Sequence, residues 1–448
     1  MAYLLNTDDD RRAMLAAIGA ASVEELFAMV PPELRLDRPL DLPPTLGELE
    51  LTQHVGELAR ANAPAGQAAC FLGGGCYDHF IPAVVDFVAS RSEFYTSYTP
   101  YQAEVSQGNL QALFEYQTLI TQLTGMDVSN SSLYDGGSAT TEAVLMAMHV
   151  TRREGRVLMA ESLHPEYRQI AATYLANLGT ELRTLPTPGG TVAPAALEAA
   201  LDPQTACVVV QHPNFFGCLE DVETAAAIAH RAGALLVVVF DPISLGLLKR
   251  PGDYGADIAV AEGQCLGNPM AFGGPYLGIL ACREPFLRRM PGRLVGQTVD
   301  RRGNRCWALT LQTREQHIRR EKATSNICTN QGLLALRAAA YLATMGPAGL
   351  RAAAELCLQK SRYAVERLAA AGAPLVFARP TFKEFVVRLR GGRVHEAIAA
   401  GLQAGIFAGV PLGRWYPSLA DCLLVAVTEK RTQAEIDRLA EVLGRGGR

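Results

Sequence analysis

Three segments of the chain combine residue types that could hold an anionic aromatic cofactor. The stretch DGGSATTEA (135–143) opens an apolar-periodic run that continues to Val150. Free backbone amides at a helix N-terminus, with hydroxyls beside them, bind phosphate; Ser138 could equally do no more than cap the helix. Asp241 ends the apolar run LLVVVF (235–240). A carboxylate there can pair with a protonated ring nitrogen, or can accept backbone N–H bonds in the turn with Pro242. The third segment, AEGQCLGNPMAFGGPYLG (261–278), is a Gly-rich loop with Gln264 ahead of it.

Taken together, these segments read as the scaffold of a pyridoxal phosphate (PLP) enzyme of the aspartate-aminotransferase fold. Such a scaffold needs a Schiff-base lysine between the strand-end Asp and the Gly-rich loop. The chain has 41 basic residues, yet its lysines are only Lys249, Lys322, Lys360, Lys383 and Lys430. Gln264 stands where the lysine is needed, and a carboxamide cannot form an imine. Lys249, beside Arg250-Pro251-Gly252, reads as a solvent-facing turn residue. The expectation is a degenerate site of Gly137, Ser138, Asp241 and Gln264 that holds no covalent cofactor.

Two further segments are dense in polar chemistry. EFYTSYTPYQAEVSQGNLQALFEYQ (93–117) groups Tyr95, Tyr98, Tyr101 and Glu104 ahead of an amphipathic helix. The cluster can furnish phenol and carboxylate groups to a pocket, or form a subunit interface, where Tyr is common. TREQHIRREKATSNICTN (313–330) carries Arg314, His317, Arg319, Arg320 and Lys322, followed by a nearly uncharged stretch that reads as buried. The basic run is either a solvated face or a contact for a phosphate, a carboxylate or an acidic partner.

The elements that must position these residues follow from periodicity. Apolar runs at 156–162, 206–213, 234–242, 257–262 and 276–284 read as strands. Helical stretches lie between them, at His164–Leu178, Pro194–Leu201 and Val222–Ala232. Alternation of this kind implies a mostly parallel sheet covered on both faces, with ligands at the carboxyl ends of its strands. Three strands end in polar residues there: Gln211-His212, Asp241 and Glu262-Gly263-Gln264. Residues 1–64 read as a helical arm, with a helix capped at Asn6 or Thr7 and running to Ile18, a Ser22/Glu25 capping box, and a second helix near Thr45–Arg60. Residues 65–329 form the large α/β domain and 330–448 a smaller α+β domain. The latter holds helices 331–342, 349–371, 394–404 and 432–443 and strands 382–390 and 422–429.

Composition excludes several classes. The net charge of −4 gives no electrostatic case for nucleic acid or an anionic membrane. The apolar runs fall short of the ~18 residues of a transmembrane helix. The N-terminus lacks the order of a signal peptide. Ten scattered cysteines without a C-x-x-C pair suit reduced thiols in a cytoplasmic protein, with neither a metal site nor a disulfide framework.

The stretches FLGGGCYDHFIP (71–82), FYTSYTPYQAEVSQG (94–108), LYDGGSATTEA (133–143), FFGCLED (215–221) and REKATSNICTNQ (320–331) resemble the glycine decarboxylase (P-protein) family of the glycine cleavage system. Within it they resemble the alpha subunit (subunit 1) of the two-subunit form. The resemblance implies an aspartate-aminotransferase-like (PLP fold type I) protein in an α2β2 assembly. It implies decarboxylation of glycine on PLP held by a lysine of the beta subunit, with aminomethyl transfer to the lipoyl arm of H-protein. It further implies that Tyr95, Tyr98, Tyr101 and Glu104 complete the partner's site. Two alternatives stay open: a non-catalytic stabilising pseudoenzyme subunit, and a self-sufficient PLP decarboxylase using Lys249 or Lys322.

Overall fold

The computed structural model describes residues 5–445 and divides the chain into two compact units, residues 1–63 and 64–448. In the first unit, Thr7 caps the helix Asp8–Ile18: its Oγ1 accepts from the Asp10 amide (3.2 Å), and the Asp10 carboxylate accepts from the Thr7 amide (2.8 Å). The second helix is Glu48–Arg60. The Ser22/Glu25 pair forms as expected, but it supports only the 3-10 turn Glu24–Phe27, because Pro31 and Pro32 follow too soon. Neither arm helix contains a buried residue.

The second unit is built on a seven-stranded sheet. Its strands are β1 (Val128–Ser129), β2 (Arg156–Ala160), β3 (Glu181–Leu185), β4 (Thr205–His212), β5 (Leu235–Phe240), β6 (Ile258–Glu262) and β7 (Gly278–Cys282). They lie in the order β1-β7-β6-β5-β4-β2-β3. β3, β2, β4, β5 and β6 are parallel, and β7 and β1 are antiparallel additions at the other end. The central strands are β-branched and buried on both faces. Val237 and Val239 face the helices Gly136–Thr151 and Pro165–Leu175, whereas Leu236 and Val238 face Pro194–Ala200 and Val222–Arg231.

β3 reads ELRTL, and only Leu185 of it is buried. It is an exposed edge strand with no apolar run, so periodicity does not reveal it. β1 and the antiparallel pair Leu294–Val299 and Arg305–Thr310 are likewise absent from the apolar-run reading. Two glutamines dock that pair on the helix Gln107–Thr124. Gln117 brackets the backbone of Val295 (2.9 and 3.0 Å), and Gln107 brackets that of Trp307 (2.9 and 2.8 Å).

Toward the C-terminus, the two helices expected at 331–342 and 349–371 are one element, Gly332–Ala370, kinked where Gly346 takes a φ of +58° ahead of Pro347. The element is long and apolar enough to cross a membrane by length and composition. Its Ala335, Ala338, Ala339, Leu342, Leu350 and Ala354 instead pack in the core beneath the sheet. A three-stranded antiparallel sheet of Glu384–Arg388, Cys422–Ala426 and Val410–Pro411 follows, covered by helices Val394–Gln403 and Gln433–Arg445.

Candidate functional site

The carboxyl ends of β4, β5 and β6 meet the N-terminus of the helix Gly136–Thr151, as an open α/β sheet requires of a ligand cleft. The residues expected to form a degenerate site converge on it. Asp241 follows β5; its Oδ1 accepts from the Ile243 amide (3.0 Å) and its Oδ2 pairs with Lys383 Nζ (2.8 Å). Gln264 is buried just beyond β6. Its Oε1 accepts from the Tyr77 amide (2.8 Å), and its Nε2 donates to the carbonyls of Tyr77 (3.1 Å) and Asn268 (2.7 Å). Both ends of the carboxamide are therefore held by backbone.

At the helix N-terminus, Asp135 is the cap rather than Ser138: Asp135 Oδ1 accepts from the Ser138 amide (2.8 Å), and Ser138 Oγ donates to Oδ2 (3.2 Å). The Gly136 amide donates to Glu262 Oε2 (2.9 Å), while Glu262 Oε1 accepts from the amides of Gln264 (2.9 Å) and Leu277 (3.0 Å). Burial pushes the Glu262 carboxyl up to about 8, against those three backbone bonds. A Cβ at Gly136 would come within 2.4 Å of Tyr167 Oη, and one at Gly137 within 2.5 Å of Ile170 Cδ1. Both glycines are thus demanded by close packing.

The groups that fill this cleft come from distant segments and have weak signals in sequence. Lys383 precedes the strand Glu384–Arg388, and its side chain is 1% exposed. Its ammonium lies 3.4 Å from the centre of the Tyr77 ring and donates to His79 Nε2 (2.9 Å). With Nε2 accepting, Nδ1 carries the proton and donates to Glu429 (2.6 Å). Burial and the Lys383 charge hold His79 below its ordinary pKa, so its ring is neutral. Burial acts to raise Glu429, but the bonds from His79 and the Phe80 amide (2.6 Å) outweigh it and hold the carboxylate down to about 2. Burial also opposes the Lys383 charge, and the Asp241 carboxylate outweighs it.

Glu384 accepts from the Gly74 amide (2.7 Å) and Tyr77 Oη (2.8 Å). His164 stacks on Tyr167 with ring centres 4.4 Å apart and donates from Nε2 to the Gly74 carbonyl (2.7 Å). His79, Cys357 and Glu429 offer donor atoms within 4.8 Å of one another, the one such group among the described residues. The His79–Glu429 hydrogen bond and the adjacent Lys383 ammonium occupy that space. The signals that could have flagged the cleft are Glu262 at a strand end and a Lys-Glu pair interrupting the apolar strand around 382–390.

What remains open is about 30 Å³, lined by Tyr77, His164, Gln211, Asp241, Lys383 and Glu384 among others. That is room for a water or two, far short of the roughly 300 Å³ at which small-molecule pockets begin. The residues do not fit PLP: the ring position, the phosphate position and the imine position are each taken by a protein group. Lys249 is exposed and pairs with Glu223, and Lys322 is exposed on a short turn, so neither lines the cleft.

A second cavity, of about 150 Å³, is open to solvent. The two other polar segments meet there: Phe94, Tyr95, Tyr98 and Pro100 face Thr329, Asn330 and Leu333 across it. Tyr95, Tyr98, Tyr101 and Glu104 are all exposed, Tyr98 at 89%. Tyr101 Oη accepts from Arg293 Nη2 (3.3 Å), and the His317 ring meets Tyr101 edge-on at 5.9 Å. Arg293 is buried and also holds Asn330 Oδ1 (3.1 Å) and the Cys328 carbonyl (2.5 Å). In the basic run, Arg314 turns inward and donates to the carbonyls of Met290, Gly292 and Leu311. His317, Arg319, Arg320 and Lys322 are exposed. The stretch 323–329, expected buried, buries only Ile327.

Fold and cleft define an α/β protein of the PLP fold-type-I class. A sphingosine-1-phosphate lyase from Burkholderia pseudomallei superposes with a TM-score of 0.65 at 16% identity, covering 93% of this chain and 94% of that one. A cysteine desulfurase from Thermococcus onnurineus gives 0.64 at 16% identity, over 90% and 99%. The family model of the glycine cleavage system P-protein matches residues 1–443, and the chain belongs to that family. It is 54% identical to a probable glycine dehydrogenase (decarboxylating) subunit 1 of Carboxydothermus hydrogenoformans, and 52% to that of Desulforamulus reducens, over 99% of each chain. A crystal structure of glycine decarboxylase (P-protein) in inhibitor-bound form has a TM-score of 0.89 at 45% identity, covering 99% of this chain and all of that one.

Proposed function

We propose that the chain is subunit 1 of a two-subunit glycine dehydrogenase (decarboxylating) in the glycine cleavage system. The PLP is held by the partner subunit, and the lipoyl arm of H-protein accepts the aminomethyl group. Full-length similarity to relatives named as subunit 1 supports the assignment. The observation that carries the division of labour is the cleft of about 30 Å³, which leaves no room for a cofactor on this chain.

This chain's contribution is then the exposed tyrosine face. Tyr95, Tyr98 and Glu104 are solvent-facing here, on a segment that Gln107 anchors and Tyr101 ties to buried Arg293. Covered by a partner, that face supplies phenol hydrogen bonds and excludes water from a reaction that passes through a carbanion. The arm bears exposed Met14, Ile18, Phe27, Leu49, Leu51 and Leu58, apolar surface suited to a partner in an α2β2 assembly. Ten free thiols suit a reducing cytoplasm.

Co-expression with the partner subunit tests the reading. Co-purification and glycine decarboxylation by the complex, with neither chain active alone, is the expected outcome. Decarboxylation by this chain alone would overturn it.

A further inference from the structure

Lys383 is an anomaly on energetic grounds. Burying an ammonium costs several kcal/mol unless it is paired and hydrogen-bonded. It could have stayed at the surface, as Lys249 does. It is instead aimed across the cleft, from the C-terminal sheet to the end of β5. There it meets Asp241 Oδ2 at 2.8 Å, His79 Nε2 at 2.9 Å and the face of Tyr77 at 3.4 Å. Those three partners are an anion, a neutral acceptor and a π-face, and each favours a cation. An N–H cation lying on an aromatic ring beside a strand-end aspartate is also what a protonated cofactor ring nitrogen would present.

We propose that the Lys383 ammonium is a built-in occupant of the cleft, standing in for a cofactor's protonated ring nitrogen against Asp241. The other end of the cleft is filled in the same manner. The Gly136 amide at the helix N-terminus, where a phosphate would sit, donates to the Glu262 carboxyl at 2.9 Å. The occupant joins segments far apart in sequence. Asp241 belongs to the large sheet, Tyr77 and His79 to the loop 71–82, and Lys383 and Glu429 to the C-terminal part. A bound cofactor in this fold comes and goes, whereas this one is part of the chain, so the cleft stays shut. The proposal holds whichever reaction the assembled enzyme performs. It also names the class of ligand that the cleft takes once its occupant is removed: a small primary ammonium ion that fits between Asp241 and the Tyr77 ring.

The experiment uses the full chain as wild type, Lys383→Ala and Lys383→Met/Asp241→Asn. Melting temperature is read in ethylammonium chloride, tetramethylammonium chloride and sodium chloride at equal ionic strength. Lys383→Ala leaves a buried carboxylate unpaired and should melt roughly 5 °C or more below wild type. Ethylammonium should restore most of that loss, while tetramethylammonium, which has no N–H, restores none; wild type should respond to neither. Failure of ethylammonium to raise the variant, or an equal rise in wild type, would overturn the proposal. If Lys383→Ala does not fold, the charge-free double variant decides. Stability closer to wild type than that of Lys383→Met or Asp241→Asn alone supports the proposal, and a double variant no better than the singles contradicts it.

Discussion

Gln264 shows how one residue type settles which polypeptide performs the covalent step. Its carboxamide is nucleophilically inert, and all of its hydrogen-bonding capacity toward the cleft is used on the Tyr77 backbone and Asn268. Gln264→Lys therefore does not restore a cofactor enzyme, because the space around it stays full. The variant is expected to lose about 3 kcal/mol of stability through broken buried bonds and a second buried cation beside Lys383. It is also expected to show no visible absorbance on titration with PLP; a PLP band at stoichiometric loading would contradict this. Tyr95→Phe and Glu104→Ala act on the other cavity. In the assembled enzyme each is expected to lower glycine–bicarbonate exchange about 10-fold or more without changing the size-exclusion profile. Unchanged exchange in both would remove them from the reaction. Asp241 and Gln264 were legible because strand, carboxylate and Gly-rich loop stand in one local order. Lys383 was not, since nothing in an alternating strand says that a single lysine will be drawn inward by a carboxylate on another sheet. The aromatic segment and the stretch 320–331 could each be singled out, but not their meeting, which depends on how the antiparallel pair 294–310 docks on the helix Gln107–Thr124.

Among the elements, the parallel strands were legible because strands buried on both faces must be continuous apolar runs. β3 was hidden by the same rule, since an edge strand with one buried residue leaves no run to find. The helix Gly332–Ala370 reads as two because glycine and proline normally end a helix, whereas here the core face resumes in phase beyond the kink. The helix Gly136–Thr151 makes the clearest prediction at this scale. Gly136 approaches Tyr167 and the Glu262 backbone so closely that a Cβ has nowhere to go. Gly136→Ala is expected to cost about 2 kcal/mol or more through overpacking. Denaturant unfolding checks it: a midpoint equal to that of wild type would mean that the helix N-terminus is not locked as described.

For the molecule as a whole, the buried ionisable groups set the pH dependence. Burial pushes Glu262 up to about 8 and Glu142 and Glu384 up to about 7, from 4.5. Each binds its proton more readily folded than unfolded, so the stability it contributes is complete below pH 4.5 and is lost as pH rises through 7 to 8. Burial holds His164 and His212 down to about 4, from 6.5. Their contribution is present above pH 6.5 and is lost as pH falls. The two sets oppose each other between pH 4.5 and 6.5, and only the carboxyls act above that. Calorimetric melting temperature is therefore expected to fall between about pH 6.5 and 8; a rise across that window would contradict the assignment of protonated buried carboxyls.

Borohydride reduction of the PLP-loaded complex, followed by peptide mass spectrometry, tests the division of labour directly. The account predicts pyridoxyl label on a lysine of the partner subunit and none on Lys249, Lys322, Lys360, Lys383 or Lys430. A pyridoxyl-lysine on this chain at stoichiometric yield would contradict it.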